Sequence, residues 1–267
     1  MKAVLVTGAS SGIGKEFARQ FAYRGYNLIL VARREDLLKQ IEEEFREEYH
    51  VEVDHFACDL SEDPKAVYDF CRQKGHTVTV LVNNAGYGDY GAFIESDLEK
   101  ALGMIDLNNK ALVSLTYYFI QDMKKNGYGH IINIGSVASF LPGPYMAVYY
   151  ATKAFVMSFS MALREELRKD QIHVSVLCPA PTKSDFWTRA GGETAAVYDN
   201  VLARTSLDAA KTGYSLFETN KPYAIDGGAY KALITIARHL PLELCARAVG
   251  FLQSKTKTKT TEGTVRE

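Results

Sequence analysis

Short apolar, β-branched runs alternate along the chain with longer stretches whose apolar residues recur at helical spacing. Residues 4–7, 27–32, 51–57, 78–82, 130–134 and 173–177 are too short for buried helices and predict strands. Between them, residues 14–23, 35–48, 64–74, 98–125 and 148–169 predict amphipathic helices. Strand then helix, repeated five times, predicts an α/β fold: a doubly wound, mainly parallel sheet with helices on both faces. Such a sheet lines up its strand carboxyl ends along one edge, where ligands bind.

No Pro/Gly/Ser-rich linker breaks residues 1–178, so 1–254 reads as a single domain. The pattern blurs at 181–222, a long stretch expected to be a substrate lid, although helical potential at 194–206 keeps ordinary surface helices open. Residues 229–254 form an expected C-terminal helical extension around Pro241. The Lys-rich end, 255–267, has no apolar period and is expected to be disordered.

Charge narrows the field. With 31 Lys+Arg against 32 Asp+Glu, the net charge of −1 is unsuited to neutralising phosphates, so no nucleic-acid partner is expected. Cys58, Cys71, Cys178 and Cys245 lie far apart without a CxxC, and His55 lacks a second ligand pair, so no metal is expected and the cysteines read as reduced thiols. The amino terminus lacks a signal-peptide pattern, and no apolar run approaches the roughly 20 residues of a membrane span. A cytoplasmic protein is expected.

Directly after the first strand comes Thr7-Gly8-Ala9-Ser10-Ser11-Gly12-Ile13-Gly14, leading into a helix. Glycines there let the backbone turn sharply and approach a pyrophosphate at the helix amino terminus, the arrangement of a Rossmann-type fold. The second strand ends in Ala32-Arg33-Arg34 with no carboxylate. Two guanidiniums suit a 2′-phosphate, which favours NADP(H) over NAD(H), unless the pair merely solvates a helix start.

Tyr149 and Lys153 share one face of a predicted helix. A Tyr-x-x-x-Lys pair alone means little, but Ser136 follows the 130–134 strand and Asn108 lies on the preceding helix. A phenol with a pKa near 10 becomes a useful acid or base at neutral pH once an ammonium stabilises its phenolate. Tyr150, whose own i+4 residue is Ala154, is not the alternative.

Over residues 1–186 the chain resembles the short-chain dehydrogenase/reductase family, in its single-domain branch. The resemblance rests on the Thr7–Gly14 turn, Asp59-Leu60, Asn83-Asn84-Ala85-Gly86, Pro179 and the set Asn108, Ser136, Tyr149 and Lys153, all in the family's order. It implies that Tyr149 is the acid or base, that Lys153 holds the nicotinamide ribose and depresses the Tyr149 pKa, that Ser136 binds the substrate oxygen, and that Asn108 anchors a relaying water. It also implies cofactor contacts from Gly8, Ser10, Ser11, Gly12, Ile13, Gly14, Arg33, Arg34, Asp59, Leu60, Asn84, Ala85, Gly86, Pro179, Thr182 and Ser184, and a homodimer or homotetramer.

Two features depart from the family pattern. Pro179-Ala180-Pro181-Thr182-Lys183-Ser184 has alanine where glycine is usual, which puts the backbone there in question. The chain also runs well past Gly227-Gly228, like the branch of hydroxysteroid dehydrogenases and 3-oxoacyl reductases. A packed terminal helix, a cover for the substrate mouth and a membrane-leaning surface are all open for that extension.

The resulting expectation is an NADP(H)-dependent carbonyl reductase or alcohol dehydrogenase. Tyr87, Tyr90, Phe140, Tyr145, Phe186 and Trp187 point to a lipophilic small molecule such as a steroid, bile acid or 3-oxoacyl compound. The alternatives are a nucleotide-sugar epimerase or dehydratase, and an NADP-binding sensor or scaffold without turnover.

Overall fold

A computed structural model describes residues 1–183, Phe186, Ala190 and 204–254. Ser184, Trp187 and the tail 255–267 lie outside the described residues. Seven strands form one parallel sheet in the order β3-β2-β1-β4-β5-β6-β9. They are β1 (Lys2–Thr7), β2 (Leu28–Ala32), β3 (Val53–Ala57), β4 (Thr77–Asn83), β5 (Gly129–Ile134), β6 (Ile172–Cys178) and β9 (Tyr223–Ile225). A two-residue pairing, β7 (Thr182–Lys183) with β8 (Arg204–Thr205), lies apart from the sheet. The helices are α1 (Gly12–Ala22), α2 (Glu35–Tyr49), α3 (Pro64–Gln73), α4 (Leu98–Ile105), α5 (Leu112–Asn126), α6 (Ala147–Glu166), α7 (Ser206–Thr219), α8 (Gly228–Ala237) and α9 (Leu242–Ser254).

Strand alternation explains the two cores. Val4 and Val6 point to one face, with Leu28, Leu30, Phe17 and Phe21. Ala3 and Leu5 point to the other, with Ile29, Val31, Leu115, Phe119 and Met123. Both faces of these central strands are covered, as a fully buried parallel sheet requires. Each buried side chain of this size contributes about 1.5–3 kcal/mol.

Three local differences from the sequence reading bear on function. The stretch 98–125 is helical throughout, but Asp106–Ala111 is a π-helical turn that buries Asn108 and Asn109 between α4 and α5. Helix α7 falls inside the segment expected to be a lid, yet it buries Ala209, Ala210, Gly213, Tyr214 and Leu216 against α1 and the sheet. Its small residues pack closely enough that a Cβ on Gly213 would come 2.2 Å from Phe17, so this part of the stretch belongs to the core layer. Finally, Ala180 is buried and does not adopt a positive φ, so alanine fits there without the conformational freedom of glycine.

All four cysteines are free thiols. Among the described residues no helix is long and apolar enough to cross a membrane.

Candidate active site

At the carboxyl edge of the sheet, where the strand order turns back between β1 and β4, a cavity of about 690 Å³ opens. One end is built from backbone. Gly8 and Gly12 take positive φ values of 65° and 57° in the β1–α1 turn. A Cβ on Gly14 would lie 2.3 Å from the Gly8 carbonyl oxygen, so the turn closes only around glycine.

Thr7 locks this turn to the loop after β4. Its Oγ1 accepts from the Asn84 and Ala85 amides at 2.9 and 3.0 Å, while Asn84 Nδ2 donates to the Thr7 carbonyl at 2.8 Å. Asn84 thus acts as a latch between the two loops. The N-cap residue Ser11 makes no side-chain capping bond, and the first turn of α1 holds no acidic residue, so its amides face the cavity uncapped. That cradle suits a pyrophosphate.

Beside it, Arg34 donates to Ser10 Oγ at 3.0 Å and to Ser11 Oγ at 2.9 Å. Arg33 reaches Asp59 at 3.4 Å. Burial works against the Asp59 charge, but hydrogen bonds from Ser61 and the Arg33 guanidinium hold its carboxyl below the usual range. Gly8, Ser10, Ser11, Gly12, Ile13, Arg33, Arg34, Asp59, Leu60, Ala85, Gly86, Pro179 and Thr182 all line the cavity. The donor set, two guanidiniums beside two hydroxyls and an uncapped helix start, fits the phosphates of a nicotinamide dinucleotide.

The other end is built from side chains brought together across the fold. Ser136 caps a short 3₁₀ turn at Val137–Phe140 and accepts from the Ala138 amide at 3.1 Å. Tyr149 and Lys153 enter from α6, with the Lys153 ammonium 5.8 Å from the Tyr149 ring centre. Lys153 Nζ donates to the Ile134 carbonyl at 2.8 Å. Asn108, in the π-turn, accepts from the Tyr87 amide at 3.1 Å and donates to the Tyr87 carbonyl at 3.0 Å and to Thr152 Oγ1 at 3.1 Å. A Cβ on Gly86 would fall 2.8 Å from Asn108 Oδ1 and 3.7 Å from Lys153 Nζ, so the loop after β4 passes directly over this pair.

The depression of the Tyr149 phenol expected from Lys153 is not what this geometry gives. Burial raises the phenol above its ordinary value against the opposing hydrogen bond with Ser136. Burial also lowers Lys153 to about 8, so the lysine is only weakly held in its charged form. At neutral pH the phenol therefore keeps its proton, the form that donates one to an oxygen.

Among the apolar residues expected at the mouth, Tyr87 and Phe186 line the cavity. Phe186 packs 5.3 Å from Tyr149, and Tyr90 and Tyr145 stand nearby, 6.3 Å apart. Phe140 turns away, packing against Tyr223 and under Arg238. Three contributors escaped the sequence reading. Asn133 links Asn83 to Ser160 by buried hydrogen bonds of 2.9 and 2.8 Å beneath the site. Tyr150 and Gln253 line the cavity and bond to each other.

A family model described as short chain dehydrogenase matches residues 2–194. The chain belongs to this family. This short-chain dehydrogenase is 37% identical over 182 residues to a very-long-chain 3-oxoacyl-CoA reductase of Kluyveromyces lactis, covering 65% of this chain and 53% of that protein. The chain thus spans about half the length of the curated relatives of that name. It is 36% identical over 222 residues to sulfoacetaldehyde reductase 2 of Chromohalobacter salexigens, covering 81% of this chain and 87% of that one. A solved short-chain dehydrogenase from Sphingobium yanoikuyae in complex with NADPH superposes with a TM-score of 0.79 at 32% identity, covering 90% of this chain and 98% of that chain.

Proposed function

We propose that this short-chain dehydrogenase is an NADP(H)-dependent oxidoreductase that reduces the carbonyl of a lipophilic small molecule to a secondary alcohol. The observation that carries the reading is the convergence of Ser136, Tyr149 and Lys153 in the same cavity as the Gly8–Gly14 turn. When bound, the nicotinamide supplies the hydride. Tyr149 gives its proton to the carbonyl oxygen, and Ser136 holds that oxygen and the phenol by hydrogen bonds. Lys153, fixed on the Ile134 carbonyl, steadies the phenolate left behind and holds the nicotinamide ribose. Asn108 keeps the Tyr87 backbone beside Lys153 and anchors a water for reprotonation.

Ser10, Ser11, Arg33 and Arg34 support NADP(H), since β2 ends without a carboxylate to bind a ribose 2′-hydroxyl. Ser184 belongs to the proposed cofactor set by sequence. The names of the relatives do not choose a substrate, because a very-long-chain acyl group and a small sulfonate share the same level of identity. The lining supports a lipophilic one: Val137 and Ala138 line the cavity with Met146 and Phe186, which pack with Tyr149. Leu98, Leu102 and Ile105 on α4 and Phe155 on α6 are exposed, which supports a homodimer or homotetramer, testable by light scattering.

Absorbance of NADPH and NADH, followed against acyl, steroid and small aromatic ketones, tests the reading. Consumption of NADPH in preference to NADH is expected. Equal use of both removes the Arg33/Arg34 argument, and NADPH binding with no carbonyl consumed favours the sensor or scaffold alternative.

A further inference from the structure

The last helix reaches the substrate end of the cavity. Gln253, buried near the end of α9, donates through Nε2 to the Tyr150 hydroxyl at 2.9 Å. Its backbone carbonyl accepts from the Tyr90 hydroxyl at 2.6 Å. These two bonds join the loop after β4, the start of α6 and the end of α9. Close packing supports them: a Cβ on Gly143 would lie 2.3 Å from the Tyr150 ring, and one on Gly250 would lie 3.2 Å from Pro144. Helix α9 is therefore seated on the loop that precedes α6, with Tyr150 held between them.

The direction of the Gln253 bond decides what Tyr150 offers. Its oxygen accepts the amide proton, which leaves its own O–H as a donor polarised by the bond it has accepted. Burial keeps that phenol protonated, pushing it up to about 12. Among the described residues no group accepts this proton. Tyr150 lines the cavity, its ring centre 6.1 Å from that of Tyr149, and Met146 and Phe186 make the neighbouring wall apolar. A plain ketone would bury this donor without a partner, which costs free energy and lowers affinity. A substrate with a second oxygen close to the reacting carbonyl would satisfy it.

Resting on the reductase reading of Ser136, Tyr149 and Lys153, we propose that Tyr150 and Gln253 form a second polar subsite that binds a neighbouring oxygen of the substrate. The enzyme then selects ketones bearing a nearby oxygen, as in 3-oxo esters and thioesters, over plain ketones. Tyr150 makes the contact. Gln253 is a positioning residue that orients the phenol.

The test compares kcat/KM for ethyl 3-oxohexanoate with that for nonan-4-one, a ketone of matched length without the second oxygen. The wild type is expected to prefer the oxo ester. In Tyr150→Phe the ratio falls about tenfold, the loss carried by KM. In Gln253→Met it falls several-fold in the same direction, while NADPH affinity stays at the wild-type level in both variants. A ratio unchanged in both variants overturns the subsite, and so does an equal loss on both ketones, the result of a merely structural role for α9. If Tyr150→Phe does not fold, Gln253→Met decides alone. A wild-type protein that binds NADPH and reduces neither compound overturns the reductase reading itself, an outcome distinct from loss of selectivity alone.

Discussion

The two ends of the cavity are made in opposite ways. At the dinucleotide end, residues within eight positions of one another form a main-chain cradle, to which Arg33 and Arg34 add their guanidiniums from the end of β2. Thr7 and Asn84 add only a brace between two adjacent strands. At the substrate end the contacts are made by side chains and span the chain: Tyr150 meets the Gln253 amide across 103 residues, and Tyr90 meets the Gln253 carbonyl across 163. A local backbone cradle tolerates little change, whereas an assembled wall of side chains can be rebuilt to suit another substrate. One scaffold can therefore keep its cofactor while its relatives act on unlike carbonyls.

Substitutions can set the two ends against each other. Tyr149→Phe removes the proposed proton donor while leaving the cradle intact. It is expected to lower kcat/KM by about 10²–10⁴-fold with NADPH affinity unchanged in fluorescence titration. An equal loss of NADPH affinity would break the separation of the two ends. Replacing both Arg33 and Arg34 by Ala is expected to weaken NADPH about 10–100-fold and NADH far less, measured by the same titration.

Gly14→Ala drives a methyl into the Gly8 carbonyl, so the turn must open. A loss of about 1–3 kcal/mol in urea unfolding is expected, together with weaker NADPH binding. A fully stable variant would show that the turn has slack.

The smallest effect concerns Lys153, and it has the opposite sign. Burial lowers its pKa from an ordinary 10.5 to about 8, so between those values the unfolded chain holds a proton that the folded chain releases. The buried charge therefore penalises the fold below about pH 8, and the penalty fades as pH rises towards 10.5. Lys153→Met is expected to melt a few degrees above wild type at pH 7, while losing activity. That advantage should shrink in calorimetry between pH 8 and 10.5. A constant gap across that range would mean that packing rather than charge separates the two proteins.

The same contrast governs what the sequence reveals. The Thr7–Gly14 turn and the strand periods are written in adjacent residues, so the sheet and the dinucleotide end are legible along one line of text. Tyr150 and Gln253 carry no local signal, since their meaning arises only when α9 folds back on the loop before α6. Helix α7 hid for another reason. It packs through Ala209, Ala210 and Gly213, small residues that leave a weak apolar stripe where contact is closest. The elevated Tyr149 phenol was also out of reach, because its cause is depth of burial rather than the spacing to Lys153.

The π-turn at Asp106–Ala111 holds one residue more than a regular helix would need. Each residue of an α-helix turns it by about 100°, whereas a π-turn winds more slowly and takes up roughly one extra residue. Deleting one residue and closing the turn would therefore leave the buried faces of α4, with Ala101 and Met104, and of α5, with Leu115 and Phe119, nearly in phase. The bulge itself would vanish, and with it the placement of Asn108 against Tyr87 and Thr152. A deletion that improves the helix should thus spare the fold and spoil the site.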